Sequence, residues 1–282
     1  MLGRSHITTG CATGGVVLAG TTGLGYWLVP GFTGLGAGPW ISGLILAAGA
    51  SLLPDLDTTE STAYHAVGPA TARLGNGCQR LSRRVYVATA GPADSPRPRV
   101  HRGLLHTPTF AGLVGVLCAL AVLVTPWTVA PLLFLCGVLT LKGLHRSLPS
   151  EWIRAMYPLR SLREVFQWFY AAGVTAALLG FGSIDRADGI YLGLCLAVGM
   201  VTHDLGDACT NSAVPMTWPK QRDGKRWTCS GLPPALRFST GEDSLVEAGV
   251  RRVSLTVAVL LIAGTAVLPP AWPLLVDWLG TS

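Results

Sequence analysis

The stretch GPWISGLILAAGASLLPDLD, residues 38–57, decides the fold class. Residues 38–54 carry no charge, and two aspartates, Asp55 and Asp57, follow at once. An uncharged run of this length approaches the ~20 residues that a helix needs to cross a bilayer. Pro54 favours leaving the helix just before the carboxylates. The stretch therefore reads as an apolar helix that ends in an acidic turn at one boundary of a membrane.

Working outward, similar apolar runs occupy about 12–29, 108–124, 126–144, 164–182, 189–205 and 253–275. Composition agrees: half of the 282 residues are hydrophobic, only 13% are charged, and mean hydropathy is +0.46. A soluble domain carries about 25% charged residues. The expectation is an all-α, polytopic transmembrane helical bundle of six to seven spans, a single membrane-embedded domain over 1–282. Its polar loops are expected at 55–107, 145–163 and 206–252. Thr125-Pro126 predicts a tight hairpin between two spans. Pro269-Pro270 is expected to end the last one. The N-terminal stretch has no convincing cleavage site and reads as a retained first span.

Seven spans place the N-terminus and the three loops on one side. All of the 21 Lys+Arg except Arg186 fall on or beside that side, which the positive-inside rule makes cytoplasmic. The formal charge of +6 is then explained by topology and anionic headgroups, and no nucleic-acid partner is expected. The seven Cys are odd in number and contain no CxxC pair, which argues against a disulfide framework and a thiolate zinc site. Most read as small apolar packing residues.

All six histidines fall on the basic side, with Asp55, Asp57, Asp204 and Asp207. Asp55 and Asp57, two apart in a turn, can address one cation or divide roles. His101 and His106 sit roughly 140° apart on an ideal helix, so they converge only in a loop, with Gly103 allowing the bend. Arg102 between them suits phosphate or carboxylate. His203 and Asp207, at i and i+4, share a helical face, whereas Asp204 points elsewhere. His6 lies just before the first span, and His65 and His145 read as peripheral. Glu242, Asp243 and Glu247 form an acidic turn, read singly as solvated, from which either Glu can still serve as general base or as a further ligand. The candidate metal ligands are His6, Asp55, Asp57, His101, His106, His203 and Asp207; the candidate catalytic residues are Asp204, Glu242 and Arg102. Imidazole and carboxylate ligands favour Zn²⁺, with Mn²⁺ or Fe as alternatives. A metal so held with an open position supports hydrolysis, and the membrane boundary suggests a lipid or phosphoester substrate.

The ordered series His6, LLPDLD (52–57) with Ser61, HRGLLHT (101–107), HDLGDACT (203–210) and VPMTWP (214–219) resembles the YdjM-like membrane proteins. The resemblance runs from about residue 5 to 250. It implies a LexA-regulated, inner-membrane-associated, metal-dependent hydrolase whose ligands come from these His and Asp residues. The chain is more remotely similar to zinc-dependent phospholipase C and P1-type nucleases, which points to phosphoesters. Thr58 stands where the family usually has His, Leu105 and Thr107 depart from its HRG-T-H-S pattern, and Ala213 replaces a Gly. These changes bear on pocket shape and substrate more than on metal binding.

Two other classes compete. Intramembrane acids and Gly-interrupted helices suit a transporter or ion-handling protein, though the polar residues gather at an edge. The basic stretch 68–100, in part an amphipathic surface helix, suits a non-catalytic membrane partner.

Overall fold

In the computed structural model the apolar runs become helices that bury leucines such as Leu18, Leu46, Leu139 and Leu192 between them. The structure describes residues 3–28, 35–96, 101–147, 151–152, 154, 160–211, 213–231, 233, 237 and 244–280. Its helices are α1 (Gly3–Leu28), α2 (Ala37–Ala50), α3 (Pro69–Thr89), α4 (Pro108–Val124), α5 (Ala130–His145), α6 (Arg163–Gly180), α7 (Gly189–Ala208) and α8 (Leu245–Gly280). Among the described residues there is no strand, only isolated bridges at Val214–Ser230 and Arg222–Lys225.

The outward face of α4 shows why this is a membrane protein. Leu113, Val116, Leu117, Leu120 and Leu123 are exposed, while Ala111, Gly115, Cys118 and Val122 are buried. Contiguous exposed apolar side chains are a liability in water and ordinary against lipid. Gly115 faces Gly193 of α7 so closely that an added Cβ would stand 2.6 Å from the Gly193 carbonyl. Small residues at a crossing let backbones approach, which is how helices associate when lipid removes the hydrophobic drive. Helix α7 also packs on α1 and α2, and α2 on α1 and α5; α6 lies against α5, and α8 against α1.

Among the described residues three helical stretches are long and apolar enough to cross a membrane: Ala37–Asp57, Pro126–His145 and Arg186–Ala208. Pro108–Val124 is apolar over a shorter length. Helix α6 opens on Arg163, Glu164 and Gln167, which leaves it less apolar than its position in the series suggests. The turn at Thr125-Pro126 forms as expected, with Thr125 ending α4.

Two expectations are corrected. Helix α1 starts at Gly3, so His6 lies inside the helix, not ahead of it. Its early hydroxyls need no water, because Thr8 and Thr9 donate back to the Ser5 carbonyl at 3.0 Å each. Helix α8 runs through Pro269-Pro270 to Gly280; a membrane helix can carry proline because nearby groups re-satisfy the freed carbonyl.

Helix α3 is the amphipathic element inside the first polar loop. It buries Thr71, Gly75, Ser82 and Tyr86 and exposes Arg73, Arg80, Arg83 and Arg84. Residues 97–100 of the basic stretch lie outside the described residues. Beyond α3, Asp94 clasps two loops: its carboxylate accepts from the backbone N–H of Gly91 (2.7 Å), Arg226 (2.9 Å) and Trp227 (3.1 Å). Burial would raise the Asp94 pKa, but these donors and the Lys225 charge outweigh it and hold it below the usual carboxylate value. A folded pKa that is depressed stabilises above the unfolded pKa and is lost as pH falls through the folded one. Asp94→Asn is expected to loosen the 222–227 loop by about 1 kcal/mol, allowing for solvent screening. Limited proteolysis should show faster cleavage there at neutral pH, with the difference from wild type shrinking as pH falls below roughly 4 toward the lower folded pKa.

Candidate metal centre

Four elements bring the site together. His6 comes from the second turn of α1, and His203, Asp204 and Asp207 from the last turns of α7. Asp55 and Asp57 sit on the 3-10 turn Leu53–Asp57 that Pro54 opens after α2. His101 and Arg102 lie in the turn before a second 3-10 segment, Leu104–His106, which ends in His106.

Helix α3 fixes both turns from outside. The Gln79 amide donates to the Asp57 carbonyl at 2.9 Å, and Ser82 Oγ accepts from the Leu104 N–H at 3.1 Å. Ser61 Oγ donates to the Asp55 carbonyl at 2.6 Å. Thr107 caps α4 by accepting from the Phe110 N–H at 3.2 Å. The sharp bend falls on Arg102, with φ 58°, and not on Gly103. A side-chain-bearing residue in this region is strained and persists where its surroundings hold it. Here Arg102 Nη2 is held 3.0 Å from Asp207 Oδ2.

The side chains form one contiguous cluster. The His6 and His203 rings stack at 3.9 Å, and the His106 ring stands 5.1 Å from His203 and 5.3 Å from His101. His6 Nε2 is 3.4 Å from Asp207 Oδ1, and His203 Nε2 is 3.6 Å from Asp55 Oδ1 and 3.8 Å from Asp207 Oδ2. His106 Nε2 is 3.7 Å from Asp55 Oδ1, and its Nδ1 is 3.6 Å from Asp57 Oδ2. His6, Asp57, His106, His203, Asp204 and Asp207 are all buried. Both ring nitrogens of His6 and His106 and Nε2 of His203 have no hydrogen-bond partner.

These distances are too long for hydrogen bonds. They match two donors on one ion: bonds of about 2.1 Å at a tetrahedral angle put the ligand atoms about 3.4 Å apart. Two groups each bring three ligand atoms within 4.8 Å of one another, His6 with His203 and Asp207, and Asp55 with His101 and His106. The hydrogen bonds that are made prepare the ligands. His203 Nδ1 lies 2.8 Å from the Ser51 carbonyl; a carbonyl only accepts, so Nδ1 carries the proton and Nε2 presents its lone pair to the cluster. His101 Nδ1 lies 2.8 Å from Asp57 Oδ1, and this bond keeps its pKa above the ordinary imidazole value against the opposing pull of burial. Four carboxylates converge, and among the described residues Arg102 is the one fixed cation in ion-pair range of them. Buried carboxylates need a compensating charge, and the cluster can hold a metal ion.

Among curated proteins and solved structures no match to the chain was found. The model of the YdjM inner membrane protein family matches residues 1–269. The chain belongs to this family. The match spans every element of the cluster, from His6 to Asp207.

Of the other sequence candidates, Asp204 is fully buried, and neither carboxylate oxygen has a hydrogen-bond partner. It belongs to neither three-residue group. Glu242 and Asp243 lie outside the described residues. Glu247 is 1% exposed, not solvated, because it sits in the first turn of α8, which packs on α1. His65 is exposed and bonds the Thr59 carbonyl at 2.7 Å, and His145 meets Arg163 at 2.8 Å. Ser51, Gln79 and Ser82 escape sequence reading, since lone polar residues in helical stretches announce no partner.

Proposed function

We propose that this YdjM-family protein is a membrane-bound, metal-dependent hydrolase acting on phosphoesters at the cytoplasmic membrane boundary. The supporting observation is the set of buried imidazole and carboxylate atoms at 3.4–3.8 Å, with ring nitrogens left unbonded. Asp55, His101, His106, His6, His203 and Asp207 would hold the metal, and Asp57 would orient His101 from behind through its 2.8 Å bond to Nδ1. The donor set is nitrogen and oxygen without thiolate, which favours Zn²⁺, then Mn²⁺ or Fe. Such an ion, when bound, supplies a Lewis acid and a hydroxide near neutral pH. Arg102 is 20% exposed at its side chain and stands at the mouth of the cluster, where its guanidinium can take an anionic oxygen of the substrate. Asp204, buried three residues before Asp207 on α7, is the proton-holding candidate. The gathering of basic residues on the same side of a multi-pass chain supports a cytoplasmic site.

Elemental analysis of the purified protein, with phosphodiester and carboxylester substrates in the presence and absence of chelator, tests this reading. Stoichiometric Zn or Mn and chelator-sensitive phosphodiester cleavage are expected. A protein that takes up no metal on reconstitution overturns it. Arg102→Ala, reconstituted at saturating metal because its Asp207 contact is lost, is expected to lose about 100-fold in kcat.

A further inference from the structure

Outside the metal cluster, a second concentration of charge lies where the end of α5 meets the start of α6. A cavity of about 190 Å³ is lined there by Lys142, His145, Arg146, Arg163, Glu164 and Gln167. Lys142 Nζ is occupied by Glu164 Oε1 at 2.8 Å. Among the described residues Arg146 donates to the Thr62 hydroxyl at 2.8 Å, and Arg163 donates to His145 Nε2 at 2.8 Å. Among the described residues neither arginine meets a carboxylate. Gln167 is 1% exposed, and its amide nitrogen, which can only donate, has no acceptor. The other carboxylate of the lining, Glu60, is exposed. A cavity rich in donors, with two guanidinium groups and a buried unused amide, fits the oxygens of a phosphate.

The same two helices continue into an apolar groove of about 120 Å³. It is lined by Leu133, Gly137 and Leu141 of α5, Ala171 and Val174 of α6, and Ile45 of α2. Leu141 adjoins Lys142 in the chain, and Leu133 lies about 12 Å farther along the helix. Charge at one end and an apolar trough beyond it match a lipid, not a soluble anion. A further cavity of about 140 Å³ shares Glu60, Ser61, Thr62 and Arg146 with the basic one and is also lined by Asp55. The basic cavity therefore leads toward the metal cluster.

We propose that the α5–α6 seam binds a glycerophospholipid with an anionic headgroup. Arg146, Arg163 and the Gln167 amide hold the phosphate, and an acyl chain lies along the groove from Leu141 to Leu133. That the bound lipid is also presented to the metal cluster as substrate rests on the hydrolase reading; the binding itself does not.

The test uses full-length, chelator-treated protein in detergent and a fluorescent phosphatidylglycerol, so that hydrolysis cannot consume the probe. Competitors are unlabelled phosphatidylglycerol, phosphatidylcholine and inorganic phosphate. Arg146→Ala and Arg163→Ala are each expected to weaken binding about tenfold. Val174→Trp, which fills the groove, is expected to weaken it as well, and phosphatidylglycerol is expected to compete best. Arg146 is exposed at the surface, so its alanine variant keeps the test open if Arg163→Ala does not fold. Wild-type affinity in Arg146→Ala overturns the site, and so does displacement of the probe by inorganic phosphate as readily as by lipid. Metal content and phosphodiesterase activity of untreated samples separate the two readings. Selective lipid binding without metal leaves this site standing and removes the hydrolase, whereas metal and activity without selective binding do the reverse.

Discussion

His106→Ala protein is expected to purify folded and nearly free of metal. His106 is the hub of the cluster: its ring is fully buried and faces Asp55 through Nε2 at 3.7 Å and Asp57 through Nδ1 at 3.6 Å. Asp207 Oδ2 lies a further 4.0 Å from Nε2. Neither ring nitrogen makes a hydrogen bond, so the side chain gives the fold little polar stabilisation that its loss would remove. What the substitution removes is a ligand among carboxylates that then face one another with less compensation. Changing an outer partner of a metal ligand already costs 10–100-fold in affinity, and losing a ligand costs more; metal content below about a tenth of wild type is expected. Elemental analysis after size exclusion checks it, with His65→Ala as the control, since His65 is exposed and bonds only a carbonyl near the surface. Full metal content in the His106→Ala protein would sink the metal-centre assignment.

The second large effect comes from a residue that touches no ligand. Gly199 lies one turn before His203 on α7, and a Cβ there would overlap the Ala47 carbonyl of α2 and stand 2.9 Å from the Ala50 Cβ. The obstacle is largely helix backbone, which cannot swing aside, so Gly199→Val must push α7 away from α2. That displacement pulls His203 Nδ1 from the Ser51 carbonyl, now 2.8 Å away, and moves Nε2 off Asp55. Overpacking of this kind costs about 1–3 kcal/mol in stability, and metal affinity is expected to fall at least tenfold through the lost orientation of His203. A lower Tm in detergent together with reduced metal content checks the prediction. Gly173→Ala is the control: nothing lies within 4 Å of a Cβ at Gly173 on the outer face of α6.

Much of this site is legible in the chain because membrane topology simplifies the problem. Read as alternating spans, the apolar runs return the chain to the same edge every second time, so the sequence alone groups His6, Asp55, His106 and His203 without any knowledge of packing. Side-chain direction is less legible. The i, i+4 spacing of His203 and Asp207 indicates a shared face, but nothing local says that Asp57 bonds His101 while Asp55 faces His203. Those pairings depend on the height at which α2 stops and on α3 bracing two turns through Gln79 and Ser82. The acidic turn before α8 shows the limit from the other side, since Glu247 is polar in sequence and buried in the fold.

Hydropathy and charge by themselves determined that this is an all-helical membrane protein with its histidines and key aspartates at one edge. Those are properties of composition along the chain, set by the cost of placing charge in hydrocarbon. Which atoms face one another across the cluster, and the basic seam between α5 and α6, were decided only by tertiary structure. Both arise from contacts between residues far apart in sequence, whose geometry no local pattern encodes.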